Sequence, residues 1–150
     1  ARRPPLWSSP TGGEEYIKNI EEDQIKKMLV DLSNMGPEIV VITSVPDLYI
    51  SDNIDVFAYD KESNKFWKIG GKYIPSDFPG TGDTFTSVLI GSLLNGDSLP
   101  IALDRSVKFI ALGIRESFGF TYPAREGILL EKVLDKLKMP MINSNYELLE

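Results

Sequence analysis

The sequence contains neither cysteine nor histidine. That double absence excludes disulfides, a thiolate nucleophile, Ser-His catalysis and the usual zinc and iron ligands. Any chemistry must run on carboxylates, hydroxyls, amines and backbone groups. No apolar run approaches the roughly 20 residues of a membrane-spanning helix, and the opening ARRPPLWSS lacks the apolar centre of a signal peptide. The expectation is a cytoplasmic protein with no membrane partner. Basic residues are also in deficit: 16 Lys and Arg stand against 22 Asp and Glu, giving a formal net charge of -6, and the acids are spread along the chain. A field of that sign argues against nucleic acid as a partner. Internal repeats and low-complexity segments are missing as well.

What is present suits one domain, since 150 residues with 42% hydrophobic content can bury a core. Residues 1–12 hold three prolines and no apolar period, which reads as an irregular leader outside the fold, with the domain proper at 13–150. Asn19 followed by Glu22 is a helix-start pattern, and Ile25, Met28, Leu29 and Leu32 then recur at helical spacing until Gly36-Pro37. The run EIVVITSV, residues 38–45, is apolar on successive positions, as in a strand of a parallel sheet covered on both faces. NIDVFAYD and KFWKIGGKYI flank the polar turn KESN and predict a β-hairpin over 53–74. Phe85, Val88, Leu89, Ser92 and Leu93 share a helical face that Asn95-Gly96 ends. A second stripe, Leu103, Val107, Ile110, Ala111 and Ile114, follows Ser98, a candidate cap. A third helix is expected from Pro123, carrying Ile128, Leu129, Val133, Leu134 and Leu137, with Lys136 and Lys138 near its end.

The chemistry concentrates in FPGTGDTF, residues 78–85. Gly80 and Gly82 let backbone approach a ligand without a Cβ in the way, and they stand just before a helix N-terminus. Amides there, with the positive end of the helix dipole, make a cradle for a transferring phosphoryl group. Asp83 beside such a cradle could orient a substrate hydroxyl and take its proton. The same four letters, GTGD, also read as a turn whose aspartate caps the helix. Lys72 reads either as a phosphate contact or as a solvated lysine, and Phe66 and Trp67 either as a stacking surface for a base or as core or sheet surface.

GTGDTFTSVLIGSLLNGDSLPIAL, residues 80–103, resembles the signature of the pyridoxal kinase branch of the ribokinase-like superfamily. MGPEIVVITSVP, residues 35–46, resembles the strand of those kinases that ends in a Thr-Ser pair at the nucleotide. The resemblance runs from about Gly13 to the C-terminus and corresponds to the C-terminal half of a typical member. It implies an α/β fold, the C-terminal half of a ribokinase-like parallel-sheet sandwich with helices and a β-hairpin. It also implies ATP-dependent phosphorylation of the 5'-hydroxymethyl group of a B6 vitamer, namely pyridoxal, pyridoxamine or pyridoxine, with ATP and Mg2+. On that resemblance Asp83 is the catalytic base, Gly80, Thr81 and Gly82 form the anion hole, and Thr43, Ser44, Gly71, Lys72, Tyr73 and Ile74 meet ATP. Full-length members imply a homodimer. Related hydroxymethylpyrimidine or sugar kinases, and a non-catalytic nucleotide-binding fragment, are the alternatives.

The family's TPN turn and following glutamate, which help to organise magnesium, have no counterpart in RRPPLWSSPTGG, and Glu14 and Glu15 fall too late in register. No metal ligand is therefore assigned. The expectation is weak or absent turnover by the chain alone, because phosphoryl transfer depends on metal and positioning. A sheet interrupted at residues 39–45 would also expose an edge and apolar faces, favouring association.

Overall fold

The computed structural model describes residues 21–46, 53–72, 78–118, 120 and 123–150. Helix α1 spans Glu22–Ser33. Its cap is Glu21, whose N–H donates to Gln24 Oε1 at 3.1 Å. The cap therefore falls two residues after the expected Asn19, which lies outside the described residues. Ile25 and Leu29 are buried along the inner face, and the helix stops before Gly36, whose φ of +141° an L side chain rarely adopts.

Three strands follow: β1 (Ile39–Pro46), β2 (Asn53–Asp60) and β3 (Lys65–Lys72). The expected hairpin is present, with β2 and β3 paired antiparallel from Asn53 opposite Lys72 to Asp60 opposite Lys65 around the KESN turn. A fourth strand, β4 (Tyr146–Leu149), pairs antiparallel with β3 and was not anticipated, since four residues carry little periodic signal. The order is β1-β2-β3-β4 and every ladder described is antiparallel. The parallel neighbour expected for β1 is not among these strands.

Alternation along β2 distributes the core. Val56 and Ala58 face one side with Ile69, against Phe85 and Leu89 of α2 (Thr81–Leu94) and Leu99, Ala102 and Leu103 of α3 (Leu99–Phe118). Phe57 and Tyr59 face the other side with Val40 and Leu149, against Ile25 and Leu29 of α1. The sheet is thus covered on both faces in three layers, which is why its strands are apolar at successive positions. Phe66 stacks on Tyr59 with centroids 4.6 Å apart, and Trp67 meets Tyr146 edge-on at 5.7 Å. Both aromatics are partly buried, Trp67 against the cluster under α2 and α3 and Phe66 against the cluster under α1.

The third helix is not formed. Residues 124–138 make three short 3-10 turns, Ala124–Glu126, Leu130–Lys132 and Leu134–Lys138. Gly127 breaks the pattern with φ +88°, and the Leu129 N–H donates to Ser117 Oγ at 2.9 Å instead of to a carbonyl of its own segment. Tertiary packing prevails over the apolar period here: Val133 is 1% exposed against Val88 and Phe109. Ser98 precedes α3, where its carbonyl accepts the Ala102 N–H at 2.9 Å.

Candidate active site

Helix α2 begins with Gly80 as its N-cap at φ +84°, a left-handed conformation that favours glycine, and no side chain caps it. Asp83 is therefore not the cap. It sits in the first turn, exposed, three residues inside the helix. The first backbone bond of the helical ladder runs from the Thr84 N–H to the Gly80 carbonyl at 2.9 Å. The N–H groups of Thr81, Gly82 and Asp83 consequently fall outside that ladder, at the positive end of the helix dipole. A Cβ on Gly80 or Gly82 would meet no protein atom within 4 Å. The hydroxyls of Thr84, Thr86 and Ser87 bond back to the carbonyls of Gly80, Gly82 and Asp83, so they reinforce the first turn.

Facing this turn is an irregularity in β1. Pairing with β2 runs regularly to Ile42 opposite Phe57 and resumes at Val45 opposite Asp55, leaving Thr43 and Ser44 against the single residue Val56. This is a β-bulge, and Ser44 adopts φ +61° within it. A non-glycine residue in the left-handed region stores roughly 1–2 kcal/mol. Both residues of the bulge are exposed.

Turn and bulge meet in one cleft of about 750 Å³. Its polar end holds Thr43, Ser44, Thr81, Gly82 and Asp83, and Gly71 of β3 also lines it. Gly80 immediately precedes the lining residues as the helix cap. Lys72 closes the β3 ladder opposite Asn53. Tyr73 and Ile74 lie outside the described residues. Gly71 has a packing reason too, since a Cβ there would come 3.1 Å from Val107 Cγ1. Sequence reasoning missed the opposite wall: Val107, Ile110, Ala111 and Ile114 of α3 line the cleft and are only partly buried. Their helical stripe was visible, but periodicity reports an apolar face and not what covers it.

Among the described residues no group of three acids could hold a metal, and Asp83 is the carboxylate that lines the cleft. These residues do not by themselves make a magnesium site. Among the described residues no helix is long and apolar enough to cross a membrane.

The family model described as phosphomethylpyrimidine kinase matches residues 13–125. A Bacteroides thetaiotaomicron protein described as a phosphomethylpyrimidine kinase is 50% identical and superposes with a TM-score of 0.83, covering 88% of this chain and 45% of its own. A second crystal form of that protein contains pyridoxal. The pyridoxal kinase of Leishmania donovani in complex with ADP, 16% identical over 85% of this chain and 45% of its own, shares the fold with a TM-score of 0.71. The chain thus spans less than half the length of these neighbours. No curated protein matches it.

Proposed function

Because the chain belongs to the phosphomethylpyrimidine kinase family, a family of phosphotransferases, we propose that it supplies the nucleotide and phosphoryl-transfer site of an ATP-dependent kinase acting on the 5'-hydroxymethyl group of a B6 vitamer. The observation that carries this reading is the convergence of the α2 N-terminal turn, the Thr43–Ser44 bulge and the Asp83 carboxylate on one cleft. The apolar α3 wall suits a nucleobase, and the polar end suits phosphates. Pyridoxal in the 50% identical neighbour supports the vitamer as acceptor.

In this reading Asp83 takes the proton of the acceptor hydroxyl as its oxygen attacks the γ-phosphorus. A new O–P bond forms, the bond to the β–γ bridging oxygen breaks, and ADP leaves with that electron pair. The amides of Thr81, Gly82 and Asp83 offset charge on the transferring oxygens, while Thr43 and Ser44 orient the nucleotide. Preorganised amides need no reorientation during transfer, so neither His nor Cys is required.

Purified protein with MgATP and pyridoxal, assayed beside Asp83→Asn, tests the proposal. Whatever turnover the parent shows should fall about 10²–10⁴-fold in kcat in the variant, with nucleotide binding retained. Equal rates in the two proteins would reject Asp83 as base. The family model's description supports one other reading, a hydroxymethylpyrimidine-type acceptor, which a panel of acceptor alcohols at fixed MgATP distinguishes.

A further inference from the structure

Behind the candidate phosphate cradle, the segment after Pro123 is pressed between α3 and the 78–80 turn. Two glycines permit this. A Cβ on Gly113 of α3 would stand 2.7 Å from Ile128 Cγ2, and a Cβ on Gly127 would stand 2.9 Å from the Pro79 carbonyl oxygen. Gly127 is buried and adopts φ +88°. The segment is anchored just beyond it by the Leu129 N–H to Ser117 Oγ bond at 2.9 Å, so it has little freedom to retreat. Phe78, the residue before Pro79, is buried and meets Phe118 edge-on at 6.1 Å. Pro79 thus lies between the packed Phe78 and Gly80, the cap whose conformation aims the α2 amides, with Gly127 against its carbonyl.

We propose that Gly127 is a positioning residue for the phosphate cradle: its missing side chain lets the 123–129 segment bear on the Pro79 carbonyl and set the orientation of the Gly80–Asp83 turn. This inference rests on the phosphate-binding reading of that turn. Adding a methyl group at Gly127 pushes on backbone, which cannot swing away as a flexible side chain would. The displacement passes through one peptide to the cap and leaves the α3 wall of the cleft in place. Affinity for the phosphates should fall while contact with the nucleoside is kept.

The readout is the ratio of ATP to adenosine affinity, measured by competition on the same preparation so that any unfolded fraction cancels. Gly127→Ala should lower the ratio about tenfold or more, the scale of losing one hydrogen bond to a charged group. Gly96→Ala is the control for backbone strain, because Gly96 has φ +94° with nothing within 4 Å of a built Cβ, and its ratio should match the parent's. Should Gly127→Ala fail to fold, Gly127→Asn carries a Cβ into the same contact with a residue that tolerates the left-handed region, and the same drop is expected. A ratio unchanged in the folded Gly127 variant overturns the inference. So does an equal fall in Gly96→Ala. A parent that binds ATP no better than adenosine would instead reject the phosphate reading itself, and the inference with it.

Discussion

Gly82 shows how little the protein itself asks of some site residues. It lies in the first turn of α2, has no positive φ, and a Cβ there would meet open space. Glycine in a helix is disfavoured by roughly 1 kcal/mol relative to alanine, so folding alone would prefer another residue. Gly82→Val should leave thermal stability unchanged or slightly higher while lowering ATP affinity at least about tenfold, since the added group occupies the approach to the amides. Calorimetric titration with ATP and a melting curve on the same sample check both halves, and unaltered affinity would discard the cradle. Ser44 presents the converse case. Its left-handed backbone is a local expense kept within a β-bulge, and nothing in the letters Thr-Ser announces it, because left-handed φ at a non-glycine residue is imposed by the surrounding pairing.

At the scale of elements, one polar knot ties α2, α3 and the C-terminal segment. Ser92 Oγ donates to Asp97 Oδ2 at 2.5 Å, Arg105 pairs with the same oxygen at 3.2 Å, and Arg105 Nη1 donates to the Leu137 and Met139 carbonyls. The Ser92 hydroxyl, and then the Arg105 guanidinium, hold the Asp97 carboxyl below its usual range against the opposing effect of desolvation. A carboxyl whose folded pKa is depressed stabilises the fold above its unfolded pKa of about 3.9, and that contribution fades as pH falls through the folded value. Urea unfolding should accordingly find Asp97→Asn less stable than the parent at pH 7, with the gap narrowing below about pH 4. A gap independent of pH would exclude the ionised carboxylate as its source. Nearby, Lys108 pairs with the buried Asp104 at 2.8 Å and donates to the Asn143 carbonyl at the same distance. The C-terminal segment is thus fastened by α3 at two points.

For the whole molecule, the cleft continues past its polar end to Ile39, Val41, Ile90 and Leu93. Beside it Leu94 is 84% exposed, and among the described strands β1 pairs on one side only. An apolar face next to a strand edge favours a second copy of the chain. Sedimentation velocity over a concentration series should show self-association that Ile90→Glu reduces, and a concentration-independent monomer would refute this. The same surface marks the boundary of what could be read in advance. Apolar period and turn chemistry are local, so α1, the hairpin, α2 and α3 were legible from Ile25 and Leu29, from KESN, and from Phe85 to Leu93. The GTGD turn was legible as a phosphate cradle or a cap, and only the geometry of Gly80 decided against Asp83 as the cap. The helix expected after Pro123 failed because Gly127 bears on Pro79 and Leu129 bonds to Ser117, contacts made by residues distant in sequence. Thr43 and Ser44 share a cleft with Asp83 for the same kind of reason. By itself the sequence determined the helices and strands from α1 through α3 and which residue types are available for chemistry. Tertiary structure decided which of them meet, because a hydrophobic pattern specifies that a face must be covered and leaves open by what.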